Sequence, residues 1–236
     1  MDWILVVGIA WAAGLAMPLG AFFAQIEHIG PNWLENEFRH GVIAFGAGAL
    51  LSAVALVLVP EGSQAFSPIP ASLWLLFGAV SLMGLDTFLS RKKSALGQLV
   101  AMLTDFLPEA IALGAAFAHG SSSSFVIALM IGLQNLPEGF NAFREMRSNT
   151  SLSKGKITLA FLCMSLLGPA AAALGYGLLS KDPRPVAAIE LFAAGGILYL
   201  IFQDIAPQVR IERKWAPPLG AVLGFSLGLL GHLYAT

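Results

Sequence analysis

Charge is scarce in this chain: Asp, Glu, Lys and Arg make up only 11% of its 236 residues. Soluble globular domains contain about 25% charged residues. At the same time 57% of the residues are hydrophobic, more than a water-soluble fold of this size can bury in one core. The shortage of charge therefore excludes an ordinary soluble domain and predicts a protein that has lipid as its solvent.

Cysteine and an excess of basic residues are also lacking. Cys163 is the single cysteine, which excludes an intramolecular disulfide framework. The net charge is −1, so nothing in the charge balance indicates a nucleic-acid partner. A signal peptide is not expected either, because Asp2 precedes the first apolar run and no basic residue flanks it.

Long apolar runs are abundant instead. A helix needs about 20 apolar residues to cross the hydrocarbon layer of a bilayer, and eight segments meet this requirement. Because no soluble domain fits between them, we expect one all-α polytopic membrane domain over residues 1–236. The predicted spans 1 to 8 cover residues 3–24, 41–60, 71–89, 96–118, 123–143, 157–179, 186–206 and 216–234.

Lys and Arg are distributed unevenly between the two sides of the predicted bundle. Of the 13 basic residues, all except Lys181 and Arg184 lie in loops after odd-numbered spans. Cytoplasmic loops of membrane proteins carry the excess of Lys and Arg. We therefore expect both chain termini to lie outside the cytoplasm.

The chain also repeats itself. Span 2 reads Phe45-Gly-Ala-Gly48 and reaches Pro60, and span 7 reads Phe192-Ala-Ala-Gly195 and reaches Pro207 at the same spacing. Because the first three spans begin outside and the last three begin inside, they form inverted repeats around spans 4 and 5, a 3+2+3 arrangement. Inverted repeats are typical of transporters with a substrate site near the midplane, although apolar sequences also match by chance. Further matched positions are Pro18 with Pro169 and Gly78 with Gly220.

Polar side chains are concentrated in the middle of spans 4 and 5. Ionisable groups in hydrocarbon cost about 2.5–3.5 kcal/mol each on insertion scales and indicate function. Residues four apart share a helix face, and the two spans must be antiparallel, so four oxygen-bearing side chains surround one point. Asp105 then lies level with Glu138, and Glu109 level with Gln134, beside Asn135.

Two prolines strengthen the prediction of a cation site at this point. Pro108 and Pro137 lack an N–H, so each leaves the carbonyl four residues earlier without a helical partner. No Lys or Arg lies in the middle of any span. The carboxylates are therefore either protonated or balanced by a cation drawn from solution.

The two polar segments resemble the His-Asn-x-Pro-Glu-Gly motifs of the ZIP (Zrt/Irt-like) transporters, and the similarity extends over nearly the whole chain. The resemblance implies a divergent prokaryotic-type member in a bacterial or archaeal plasma membrane. Its expected activity is transport of a divalent cation such as zinc, iron, manganese or cadmium, with no organic cofactor and no enzymatic reaction. The residues that carry the resemblance are Asp105-Phe-Leu-Pro-Glu-Ala110, Gln134-Asn-Leu-Pro-Glu-Gly139, Gly14-Leu-Ala-Met-Pro18, Phe45–Gly48, Phe77-Gly78 with Asp86, and Ala193–Tyr199 with Gln203-Asp204 and Pro207.

Departures from the family pattern affect the metal that we expect. Asp105 stands where the family usually has His, Phe106 where it has Asn, and Gly168 where the sixth helix often has Glu. A second adjacent metal site, seen in some members, would need Phe106 and Gly168, which cannot ligate through their side chains. The resemblance therefore implies one metal ion held by Asp105, Glu109, Gln134 and Glu138, with Asn135 beside them.

Several other residues receive weaker expectations. Asp86 and Asp204 lie near the cytoplasmic ends of their spans and, with Gln203, could line an exit path; interfacial solvation or helix capping is the alternative. Glu61 and Glu190 are expected to be solvated near the outer face. The small-residue spacing of Gly220, Gly224 and Gly228 indicates close helix packing or a homodimer seam, and we favour packing.

Two other functions are compatible with parts of this pattern. A ZIP-like protein that binds or senses metal without moving it remains open, because the first motif has lost His and Asn. An intramembrane hydrolase would need a metal-bound water, or a nucleophile with its base. All four His residues lie at or outside the span ends, which disfavours the hydrolase.

Overall fold

The computed structural model describes residues 3–26, 32–90, 95–118, 124–179, 182–209 and 215–235. Every regular element in these residues is a helix, with π-helical segments at Val54–Leu58, Gly175–Leu179 and Ile201–Ile205. The α-helices are α1 (Trp3–Gly14), α2 (Ala16–Ile26), α3 (Asn32–Ala53), α4 (Val59–Ser63), α5 (Pro68–Ser90), α6 (Ala95–Ala118), α7 (Ser124–Asn149), α8 (Lys154–Ser165), α9 (Leu167–Leu174), α10 (Pro183–Leu200), α11 (Ala206–Gln208) and α12 (Ala216–Ala235).

Six of these helical stretches are long and apolar enough to cross a membrane: Trp3–Ile26, Glu37–Ser63, Pro68–Phe88, Lys154–Gly177, Pro183–Gln203 and Ala216–Tyr234. The predicted spans 4 and 5 are α6 and α7, with 24 and 26 residues. Both have the length to cross. The protein is therefore an integral membrane protein.

Two helices continue well beyond the apolar segments that predict them. α3 begins at Asn32, well before the predicted start of span 2 at residue 41, and α7 ends at Asn149, beyond the predicted end of span 5 at residue 143. Hydrophobicity marks the part of a helix that lies in hydrocarbon, whereas a helix can continue into water as long as its backbone hydrogen bonds are made. The remaining span ends agree with the described helices to within a few residues.

Prolines determine where the long helices are interrupted. α1 gives way to α2 at Leu15, three residues before Pro18, and α8 gives way to α9 at Leu166, three residues before Pro169. A proline clashes with the carbonyl four residues earlier and cannot donate to it, so a helix ends or loosens there. The π-helical segments Val54–Leu58 and Ile201–Ile205 likewise precede prolines, Pro60 and Pro207.

The long helices pack as four parallel pairs: α2 with α7, α3 with α12, α5 with α10, and α6 with α9. Two contacts along each pair establish these directions. They are Met17 with Gly139 and Gly20 with Phe140 for α2–α7, and Gly41 with Gly220 and Ser52 with Gly228 for α3–α12. For α5–α10 they are Gly78 with Phe192 and Leu82 with Gly196, and for α6–α9 they are Phe106 with Gly168 and Gly114 with Ala172. Because α3 lies antiparallel to α7, the start of α1 and the end of α12 are at one end of the bundle. We call this the terminal end, and the opposite end, with Arg144 and Lys156, the basic end.

Reciprocal glycines allow each pair to approach closely. A Cβ atom added to any of these glycines would overlap a backbone carbonyl oxygen of the partner helix. Close backbone approach through small residues is how helices associate in lipid, where the hydrophobic effect does not drive them together. The pairs are Gly20 and Gly139 for α2–α7, Gly48 and Gly224 for α3–α12, Gly78 and Gly195 for α5–α10, and Gly114 and Gly175 for α6 and the continuation of α9.

We expect Gly78→Ala to lower the thermal stability of the detergent-solubilised protein, because its Cβ would overlap the Phe192 carbonyl oxygen. Overpacking of this kind costs about 1–3 kcal/mol. Gly84→Ala is the matched control, since it lies on the same helix with nothing within 4 Å of an added Cβ. Equal melting temperatures for the two variants would contradict this description of the α5–α10 contact.

Candidate metal site at the centre of the bundle

The site is built where α6 and α7 cross in the middle of the bundle. Gln134 Nε2 donates a hydrogen bond to Glu109 Oε2, so the expected alignment of these two side chains is observed. Glu109 is 2% exposed and Gln134 is fully buried. A carboxylate and an amide from different helices thus meet away from water.

Two amide oxygens at this level have no hydrogen-bond donor. Gln134 Oε1 and Asn135 Oδ1 are both buried and unpartnered. The amide nitrogen of Asn135 donates to the carbonyl oxygen of Ala13, 3.2 Å away on α1, rather than toward Glu109. Since a buried polar atom without a partner costs about 1–3 kcal/mol, these oxygens are suited to receive a cation or the water bound to it.

Proline adds backbone oxygen to the same region. Pro108 and Pro137 lie inside α6 and α7, and each removes one N–H from the helical ladder. The ring of Pro137 packs against Gly46 of α3. The carbonyls that lose this N–H belong to Thr104 and Leu133, one turn before Pro108 and Pro137.

The remaining expected ligands are only partly described. Glu138 is half-buried on α7, one turn from Gln134. The backbone of Asp105 lies within α6, but its side chain is outside the described part of the structure, as is that of Asp204. Among the described residues there is no group of three or more His, Cys, Asp and Glu side chains close enough to hold a metal ion.

Phe106 occupies the space next to this site. Its side chain is 1% exposed, and its ring lies against both Gly14 of α1 and Gly168 of α9. A side chain at either glycine would overlap the ring. The space between Gly14 and Gly168 is therefore filled by an aromatic ring.

A small cavity lies beside Glu109 on its terminal side. Apart from Glu109, its lining is apolar and comes from α3, the π-helical segment that follows it, and α7: Ala53, Val57, Leu58, Ile127, Met130 and Ile131. These side chains offer no ligand to a cation.

The structure describes the side chains of two expected pathway residues, Asp86 and Gln203. Tyr199 donates a hydrogen bond to Asp86 Oδ2 over 3.2 Å and so links α10 to α5. Gln203 is exposed in the π-helical segment Ile201–Ile205. Asp86 therefore has a structural partner.

The expectation that Glu190 is solvated is wrong. Its side chain is only 6% exposed, because Gly62 of α4 lets that helix pack closely against Ala187 and the Cβ of Glu190. Glu61, the neighbour of Gly62, is half-buried. Hydropathy alone could not show this burial, since it depends on a glycine in another span.

Comparison with known proteins gives one relevant similarity. Over 129 residues, half of this chain, the sequence is 26% identical to the zinc transporter zipt-7.1 of Caenorhabditis briggsae. The similar region covers 31% of that protein, so the chain spans about a third of the length of the curated relative it matches. No protein-family model matches the chain.

We expect a double-mutant cycle to couple Phe106 and Gly168. Gly168→Ala should destabilise the protein because its Cβ would overlap the Phe106 ring, and Phe106→Leu removes the ring atom concerned. Gly168→Ala should then lower the free energy of unfolding less in the Phe106→Leu background than in the wild type. We expect the difference, the coupling energy, to be about 0.5–3 kcal/mol in thermal or denaturant unfolding. Gly132→Ala, whose Cβ would make an ordinary contact with Ala13, is the control. An unchanged cost in the Phe106→Leu background would show that the ring does not fill this space.

Proposed function

We propose that the chain transports divalent metal cations across a membrane through the site between α6 and α7. The observation that carries the proposal is the buried Glu109–Gln134 contact with unpartnered amide oxygens on Gln134 and Asn135 beside it. The ligands in this proposal are Asp105, Glu109, Gln134 and Glu138, and Asn135 is their neighbour. The metal ion is the substrate.

A cation explains why carboxylates occur at this depth. Placing an ionised carboxylate in a low-dielectric interior costs several kcal/mol unless an opposite charge accompanies it. The sequence provides no Lys or Arg in the middle of any span. A dication from solution can offset this cost, and the similarity to a zinc transporter over half of the chain agrees with such a substrate.

The transport mechanism that we propose uses eight spans in a 3+2+3 arrangement with inverted repeats. The helices are interrupted at Leu15 and Leu166, which lie at the same distance before Pro18 and Pro169. This matching position supports the repeat. The helix pairs support the repeat too. In an inverted repeat, span 1 corresponds to span 6, span 2 to span 7, span 3 to span 8 and span 4 to span 5. Under this correspondence the pair α2–α7 becomes α9–α6 and the pair α3–α12 becomes α10–α5, and both resulting pairs are observed. Alternating access follows if one repeat moves against the α6–α7 pair. The distribution of Lys and Arg places the terminal end outside the cytoplasm.

Selectivity follows from the donor atoms. The proposed ligands provide oxygen but neither imidazole nor thiolate, and oxygen ligands suit magnesium, calcium and manganese, whereas imidazole suits zinc, copper, iron and nickel. Zinc still binds carboxylates, so we propose a relaxed preference rather than exclusion. One ion is expected, because Phe106 fills the adjacent space.

We expect Glu109→Ala and Glu138→Ala each to abolish cation binding and uptake while the protein remains folded. Binding is measured by isothermal titration calorimetry with manganese and cadmium, and uptake in proteoliposomes. Asp182→Asn is the control and should behave as wild type, because it removes an exposed carboxylate before α10 but keeps a residue that can cap the helix. Unchanged binding by either of the first two variants would contradict the ligand assignment. Normal binding by the wild-type protein without uptake would instead favour a metal sensor.

We expect Asp105→His to shift the preference toward zinc and cadmium relative to manganese and iron(II), because imidazole replaces a carboxylate among the ligands. Competitive uptake in proteoliposomes measures the ratio. Asp105→Asn, which removes the charge without adding imidazole, separates the effect of charge from that of donor type. Strong discrimination for cadmium over manganese by the wild-type protein would contradict this account.

A further inference from the structure

A polar stripe runs along α7 from the candidate site to the basic end. It consists of Gln134, Glu138, Asn141 and Glu145, whose spacings of four, three and four residues place them on one helix face. Exposure increases along the stripe: Gln134 is fully buried, Glu138 and Asn141 are half-buried, and Glu145 is exposed. The face that meets Glu109 therefore continues toward water as a line of oxygen-bearing side chains.

Asn141 is the member of this stripe to which the proposed ligand set assigns no role. Its Oδ1 atom is buried and accepts no hydrogen bond from the residues that the structure describes. Buried polar atoms usually have a partner, and one that lacks it indicates water or an ion at the site. With a rise of 1.5 Å per residue, Asn141 lies about 4.5 Å along the axis from Glu138 and about 10 Å from Gln134.

The opposite direction along α7 has a different character. Ile127, Met130 and Ile131 lie between Gln134 and the terminal end and line the apolar cavity beside Glu109. The helix is thus apolar on one side of the site and polar on the other. The polar side of α7 therefore offers a cation oxygen contacts that the cavity-lining side chains on the other side do not.

Two arginines lie near the exposed end of the stripe. The Arg144 guanidinium lies over the Phe140 ring, 5.8 Å from its centroid. Arg147 Nη1 donates to the carbonyl oxygen of Leu152 at 2.7 Å. Beyond Asn141, the next member of the stripe is the carboxylate of Glu145.

We propose that Asn141 Oδ1 binds a partly hydrated divalent cation as it moves between the α6–α7 site and the basic end. This inference rests on the proposed function and adds a second binding position to it. An amide oxygen suits this role because side-chain oxygens coordinate hard cations and their waters.

Asn141→Leu is the first test, with manganese as the probe. Uptake into proteoliposomes should slow by about tenfold or more, as expected when an oxygen contact to a charged group is lost, while calorimetric binding at the Glu109 site changes little. Asn141→Asp keeps the oxygen and should restore uptake. Asn149→Leu, an exposed residue at the end of the same helix, is the matched control. Unchanged uptake by Asn141→Leu would overturn the proposal, as would a failure of Asn141→Asp to restore uptake when both variants fold normally.

Thiol labelling is the second test and does not depend on transport. In a Cys163→Ser background, Asn141→Cys should react with a charged, membrane-impermeant methanethiosulfonate, and manganese should slow the reaction. Met130→Cys should react far more slowly. Similar slow rates at both positions would overturn the proposal, as would labelling at position 141 that manganese leaves unchanged. If the wild-type protein transports no metal but the thiol of the Asn141→Cys variant is labelled and protected, the proposed transport fails while the binding position stands.

Discussion

Close backbone contact between parallel helices is the constraint on which the rest of this structure depends. In each of the four pairs a glycine on either helix lies against a carbonyl of the other, and a single methyl group would separate them. Van der Waals packing and small residues provide this association, because lipid chains compete equally well for apolar side chains. The glycines therefore decide which helices are partners, and the larger apolar residues complete the surface toward lipid.

The candidate site follows from this arrangement. α6 is held to α9 by Gly114 and Gly175, and α7 is held to α2 by Gly20 and Gly139. Each central helix thus uses one face for its glycine contact, and another face remains for the other central helix. Glu109 and Gln134 meet on those faces, where rigid neighbours hold them, as a binding site requires.

Much of the architecture was predictable from the sequence because one physical signal, apolar length, determines it. The positions of the spans and the meeting of Glu109 with Gln134 follow from apolar runs and helical periodicity. The bond from Asn135 to Ala13 and the burial of Glu190 did not follow, since both depend on which helix lies alongside. The start of α3 at Asn32 was missed because hydropathy does not report where a helix ends in water. The helical spacing of the polar residues around Asn141 can be read from the sequence. Only the structure shows that the Asn141 Oδ1 atom is buried without a partner, which is the observation that suggests a binding role.

The Phe106 ring also joins the two interrupted helices mechanically. Gly14 is the last residue of α1 before the break at Leu15, and Gly168 lies just after the break at Leu166. The ring lies between these glycines, and Gly14 also lies against Ser165, the last residue of α8. Both interruptions therefore contact one ring, which belongs to a residue one turn from Glu109 on α6. If either helix bends at its interruption, the bend displaces this ring and so changes the packing at the other interruption.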